Sequence, residues 1–196
     1  MKDDKNKYFT RDYWEKRYKT GGNSGFGSHD AGSVKFKGDY ISNLIKKYGV
    51  ETLFDYGCGD GNQLPAIKGY TNYFGYDIAA NVVDLCKSKF VGDETKFFSS
   101  NLSDILIRKY DMAISMDVTY HIIEEELFEL YLDNLFNAGN IVVLFTTNND
   151  SKTSLSHHHP RKVIDYIGNK FTDFKLIDMT PYNDNVGFYT YQKIEI

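Results

Sequence analysis

Cysteine, proline and tryptophan are scarce in this chain of 196 residues, with two, three and one of each. Two thiols, Cys58 and Cys86, cannot supply a disulfide framework, and no apolar signal segment follows Met1. The opening residues are mostly polar and charged, and no long apolar run follows, so neither secretion nor a membrane span is expected. A reducing, cytoplasmic location is the expectation that follows. Clustered positive charge is missing too. The basic concentrations are short, Lys46-Lys47 and Arg161-Lys162, and the formal net charge is −4. A partner rich in phosphate, whether nucleic acid or anionic membrane, usually meets a basic patch, so the sequence argues against both. Nor is there a repeat, a low-complexity stretch or a proline-rich linker to divide the chain. One domain over residues 1–196 is expected. The run His157-His158-His159 lacks a further His or Cys cluster in sequence to complete a coordination shell, so no metal is expected.

What is present is ordinary globular composition, 41% hydrophobic and 26% charged, with 16 Tyr and 14 Phe to build core and pocket surface. Tyr8 to Tyr18, with Tyr13, Trp14, Arg17 and Tyr18, reads as an amphipathic helix. It runs into the glycine-rich stretch Gly21–Ser28, which is expected to be irregular: either a connector or, as favoured here, a lid over a ligand. His29 stands at its end. Beyond it, strands and helices alternate. Strands are expected at Thr52–Tyr56, Tyr73–Tyr76, Lys96–Phe98, Met112–Met116 and Ile141–Phe145, and helices at Tyr40–Tyr48, Ala80–Phe90, Glu124–Phe136 and Arg161–Ile167. The last two strands, Lys175–Asp178 and Phe188–Ile194, have no helix between them and should pair antiparallel. The pattern is α/β, a doubly wound and mostly parallel sheet with helices on both faces. Residues 1–38 would form the N-terminal helix and lid, and 39–196 the core.

The most informative segment is Asp55-Tyr56-Gly57-Cys58-Gly59-Asp60-Gly61-Asn62. A strand ends in glycines at every second position, where the backbone must turn sharply and approach a ligand, and a helix should follow. The dinucleotide spacing fails, because the third glycine position falls on Asn62 or Leu64, and no Lys-Ser/Thr pair marks a P-loop. Acidic Asp55 and Asp60 suit instead a ligand with a positive amino group and no phosphate, which describes S-adenosylmethionine. Asp77 follows Asp55 by 22 residues, at the end of the next strand, where a carboxylate can accept both hydroxyls of a ribose. The alternative for Asp77 is a helix cap. Ile78 beside it would pack on the adenine.

Asp55-x-Gly57-x-Gly59-x-Gly61, then Asp77, then Tyr110–Asp117, and the closing hairpin through Phe188–Tyr191 together resemble the class I S-adenosylmethionine-dependent methyltransferases. Trp14-Glu15-x-Arg17-Tyr18 and Asp117-Val118-x-Tyr120-His121 resemble, more narrowly, a subgroup of small bacterial members. The resemblance implies seven strands in the order 3-2-1-4-5-7-6, with strand 7 antiparallel. It implies that Gly57, Gly59 and the 55–61 loop hold the methionine end of the cofactor and Asp77 its ribose. Asn101 and Leu102 would flank the adenine. Trp14 and the lid would close over the cofactor, with Arg17 toward its carboxylate.

Methyl transfer needs alignment, exclusion of water and, for a hydroxyl acceptor, removal of a proton. His121 is the candidate base, with packing against the lid as the alternative; Asp117 would orient it or ligate the acceptor, and is also expected to line the cofactor site. His157 and His159 could reach the acceptor or stay solvated, and Cys58 is expected to pack in the loop. The reading is an enzyme that methylates a small molecule or carbohydrate-like precursor, by expectation on oxygen. A silent cofactor-binding subunit is the alternative.

Overall fold

The computed structural model describes residues 9–151 and 153–194. Tyr8 and the rest of 1–8 lie outside them. Helix α1 spans Phe9–Lys19, α2 is a single turn at Phe26–His29, and α3 spans Ala31–Tyr48. The strands are β1 Thr52–Tyr56, β2 Asn72–Tyr76, β3 Lys96–Ser99, β4 Tyr110–Met116, β5 Gly139–Thr147, β6 Phe174–Pro181 and β7 Val186–Lys193. Between them run α4 Ala80–Lys89, the short α5 Leu102–Ile105, α6 Glu125–Ala138 and α7 Val163–Lys170.

The strands form one sheet in the order β3-β2-β1-β4-β5-β7-β6. β1 to β5 pair parallel, and β7 runs antiparallel to both β5 and β6. This is the expected topology. Its physical basis is the two-residue period of buried strands. Leu53, Met112, Ile114, Val143 and Phe145 face α3 and α4, while Phe54, Ala113, Val142 and Leu144 face α6 and α7. Both faces are apolar, so helices must cover both.

Three local expectations are revised. Helix α3 starts at Ala31, well before Tyr40, because Asp30 caps it by accepting from the Ser33 amide at 2.8 Å. Gly38 inside it is a packing requirement, since a Cβ there would lie 2.5 Å from Ala66 Cβ. The glycine-rich lid is not wholly irregular, because Phe26–His29 closes one helical turn. And only a 3₁₀ turn, Leu64–Ala66, follows the glycine loop where a helix was expected. Ile67 leaves the turn in extended backbone, and Gly69 turns the chain left-handed toward β2. Among the described residues no helix is long and apolar enough to cross a membrane.

Strand order reverses between β1 and β4. At such a switch point the loops leaving the two strands part and open a crevice at their carboxyl ends.

Candidate active site

The crevice is built first from backbone. Leaving β1, Gly57 and Gly59 adopt φ of 97° and 54°, left-handed values that cost a β-carbon-bearing residue dearly. Space forbids a side chain as well: a Cβ on Gly57 would meet Val118 Cγ2 at 2.4 Å, and one on Gly59 would meet Ser24 Oγ at 2.3 Å. The amides of Gly57 and Cys58 both donate to the Tyr76 carbonyl, at 2.8 and 2.9 Å, which binds the loop to the end of β2. There Asp77 accepts from the Gly59 amide through Oδ2 and from the Ala79 amide through Oδ1, each at 3.0 Å. So Asp77 does serve the start of α4, and each oxygen keeps further acceptor capacity where it lines the cleft. Burial, with the charges of Glu15 and Asp60 adding to it, raises its pKa to about 6 against the pull of those two amides.

Helix α1 roofs the cleft by gripping both banks. Thr10 donates its amide and hydroxyl to Glu124, and Glu15 accepts from the Ala80 amide at 2.6 Å. The lid is pinned to the loop through Asp60. Its Oδ2 receives the Ser24 amide at 3.0 Å and His29 Nε2 at 2.7 Å, and its Oδ1 receives the Asn62 amide. Burial opposes the charge, but His29 and the two amides hold the Asp60 carboxyl below its usual range. Asp60 thus turns Oδ2 to the lid and keeps Oδ1 on its own loop.

Opposite, the chain leaves β4 at Asp117, the one non-glycine among the described residues with a left-handed φ, 61°. Its carboxylate is held by Lys37 Nζ at 2.6 Å and by the Tyr120 hydroxyl at 2.9 Å. Lys37 is 1% exposed and donates also to the Gly27 carbonyl, at 2.8 Å. Its role was not foreseen. The signal was its position on the α3 face that buries Ser33, Ile41, Leu44 and Ile45, a place where lysine is seldom found unless paired.

Of the residues singled out in sequence, Trp14, Gly57, Gly59, Asp60, Asp77, Ile78, Asp117 and His121 line one cleft. Asp55 does not. It is buried beneath the loop, receives the Tyr73 hydroxyl at 2.9 Å, and burial raises its pKa to about 7 despite that bond. Asn101 and Leu102 stand at the end of β3 outside the lining; Asn101 caps α5, accepting from the Ser103 amide. Cys58 packs under the loop, where contact with Cys86 and burial push its thiol well above its usual range.

Arg17 belongs to a second pocket, which shares Trp14, Asp117 and His121 with the first and adds Tyr13, Tyr120, His157 and His158. The Arg17 Nε donates to the Asn23 carbonyl at 2.6 Å. His121 lies in a 3₁₀ turn, Thr119–His121, with Trp14 edge-on at 5.0 Å. Its Nδ1 donates to the His157 carbonyl at 3.2 Å, so Nε2 carries the lone pair. Burial, then the neighbouring His158, lowers its pKa to about 3. His159 is turned away, onto Arg161, and it is His158 that faces the pocket. A third histidine therefore joins the His157-His158 pair from a distant segment, which revises the expectation that nothing would complete such a cluster.

Comparison with known proteins agrees with this architecture. Residues 54–136 match a family model described as a methyltransferase domain. The sheet order and the covering helices are those of the class I methyltransferase fold. S-adenosylhomocysteine, the product form of S-adenosylmethionine, is bound in solved structures of this fold. No curated protein matches the chain in sequence. Among solved structures, it is similar to magnesium protoporphyrin IX methyltransferase (ChlM) from Synechocystis PCC 6803 with bound S-adenosylhomocysteine. That likeness has a TM-score of 0.69 at 16% identity, over 96% of this chain and 100% of that one. It is also similar to the N-methyltransferase NodS from Bradyrhizobium japonicum WM9 in complex with S-adenosylhomocysteine. There the TM-score is 0.74 at 10% identity, over 95% and 99% of the two chains. At such identities the likeness is one of fold, and the site residues must be argued from the chain's own geometry.

The cleft fits the cofactor on that geometry. The left-handed loop presents backbone with no room for side chains, and Asp77 offers two acceptors at its floor. Gln63 Oε1, in the cleft wall, is buried without a hydrogen-bond partner, an acceptor that an ammonium would satisfy.

Proposed function

We propose that this protein is an S-adenosylmethionine-dependent methyltransferase that modifies a small molecule on oxygen, with the acceptor in the second pocket. The observation that carries the reading is the junction itself: the cofactor cleft and the second pocket meet at Trp14, Asp117 and His121.

In this reading the glycine loop and Gln63 hold the methionine end of the cofactor, Asp77 the ribose diol, and Ile78 packs on the adenine. When bound, S-adenosylmethionine supplies an electrophilic methyl group on a sulfonium that is already a good leaving group. The chain's task is then alignment and dryness. Trp14 and Tyr18 cover the cleft, and Ser24 seals it by bonding to the Tyr18 hydroxyl at 3.0 Å. Asp117, fixed by Lys37 and Tyr120, presents a rigid carboxylate at the junction. His121 keeps a lone pair at neutral pH, yet with so low a pKa it is a weak proton acceptor and serves better to orient the acceptor. Arg17 faces the acceptor side, and a compound carrying an anionic group suits it.

A small acceptor is supported by the roofed pocket, the net charge of −4 and the lack of a basic patch. ChlM is named for a porphyrin acceptor and NodS as an N-methyltransferase, so the fold alone does not choose the atom. The polar ring of Asp117, Tyr120 and His121 favours oxygen. The test is calorimetric titration with S-adenosylhomocysteine, followed by labelled methyl transfer to hydroxylated small molecules, tRNA and protein. Label entering a hydroxyl compound supports the reading. Label entering only RNA or protein overturns it, and no binding of S-adenosylhomocysteine overturns the site.

A further inference from the structure

We propose that His121, His157 and His158 form a binding site for one divalent transition-metal ion at the acceptor side of the cleft. One ring nitrogen of each lies within 4.8 Å of those of the other two. The rings enclose a common space. His121 and His157 are parallel, 7° apart in plane and 5.6 Å between centroids. His158 stands across both, at 75° and 78°, with centroids 4.6 and 4.5 Å away.

The arrangement is built by the fold. His121 comes from the turn after β4, and the other two come from the loop between β5 and α7. The two segments are joined by the His159 amide, which donates to the Tyr120 carbonyl at 2.7 Å. Tyr13 stacks on His157 at 4.4 Å, Trp14 meets His121 edge-on, and the Tyr120 ring lies 4.6 Å from His121 and 5.4 Å from His158. The rings are therefore held from outside. The His121 Nδ1–H bond to the His157 carbonyl is the support that a metal-binding imidazole commonly receives on its second nitrogen. All three histidines are half-buried, so an ion can reach them.

Metal–imidazole bonds of about 2.0–2.1 Å require donor atoms about 3.4 Å apart in a tetrahedral site, a closure that side-chain rotation can supply. Three imidazoles and no carboxylate suit zinc, cobalt, nickel or copper over magnesium or calcium. Three protein ligands also leave a position open toward the pocket. Arg17 lines the same pocket and opposes the ion's charge, while Asp117 on the other side favours it. The catalytic part of the inference rests on the function proposed above. A cation there would lower the pKa of the acceptor hydroxyl, whose proton passes to solvent. The oxygen–carbon bond then forms as the sulfur–carbon bond breaks, with no change of oxidation state.

The experiment is titration of the full chain, without a polyhistidine tag, with Co²⁺ alone, read by visible absorption and calorimetry. Expected are one ion per chain, a visible band displaced by Zn²⁺, and loss of affinity in His158→Ala and His121→Asn. That loss should exceed the roughly 10–100-fold that removing a mere supporting partner costs. Far-UV circular dichroism of the variants reports whether the fold persists, and S-adenosylhomocysteine titration of the wild type reports the cofactor site. His158→Gln replaces the alanine variant if that fails to fold. Wild-type affinity for Co²⁺ no better than that of the variants overturns the metal site. Cobalt binding without any binding of S-adenosylhomocysteine upholds the metal site and defeats the function proposed above. Retained S-adenosylhomocysteine binding without cobalt does the reverse.

Discussion

The two halves of the site are made of different material. The cofactor half stands on strand ends: the Gly57–Gly61 loop leaves β1, Asp77 ends β2, and backbone amides bonded to Tyr76 and Asp77 set its shape. The acceptor half is made of side chains from α1, the lid and the His157–His159 loop, packed ring against ring. Backbone set by strand register has few alternatives, whereas a wall of loop side chains can be rebuilt without disturbing the sheet. The first half suits a fixed cofactor and the second a variable acceptor.

The largest test strikes the seam between them. Lys37→Ala leaves the Asp117 carboxylate partly buried without its cation and should cost about 3 kcal/mol, the lower end for a broken buried pair. Chemical denaturation checks it, and pairing with Asp117→Asn should recover part of the loss. Full additivity of the two would show that they are not coupled.

Asp77→Ala should damage the cofactor half alone. We expect S-adenosylhomocysteine to bind roughly 100-fold more weakly, about 2.8 kcal/mol, as for two charge-assisted hydrogen bonds. Calorimetry reads it. Arg17→Ala is the converse, with cofactor affinity nearly unchanged and acceptor KM raised. A large loss of cofactor affinity in Arg17→Ala would instead restore the expectation drawn from sequence, that Arg17 meets the cofactor's carboxylate.

Gly59→Ala should cost about 1–2 kcal/mol from its left-handed backbone and also push Ser24 and the lid outward. Faster exchange of the Ser24 and Asp60 amides, which bond each other's side chains, would register it.

A separate test, read in pH dependence, concerns Asp55. Its folded pKa, about 7, lies above the ordinary 3.8, so the folded state binds more protons between those values. Stability should therefore fall as pH rises from about 4 to about 7, by at most about 1.4 kcal/mol per pH unit. Asp77 acts in the same direction up to about pH 6. Asp55→Asn should flatten that slope in thermal melts, and an unchanged slope would refute the buried, protonated Asp55.

Sequence alone sufficed for what rests on local pattern. Buried strands repeat every two residues, glycines at alternate positions mark a left-handed loop, and an acid at the end of the next strand marks the opposite wall of the cleft. From these the sheet, the loop and Asp77 were legible. Three things came only with the tertiary structure. Asp55 and Asp60 looked alike in sequence, yet one is turned under the loop to Tyr73 and the other to His29. Lys37 reaches Asp117 across 80 positions of chain. And His121 meets His157 and His158 because strands β4 and β5 are neighbours, so the loops at their carboxyl ends converge. Local pattern reports the backbone's own preferences. Which side chains meet depends on how distant segments are brought together, and that is decided by packing.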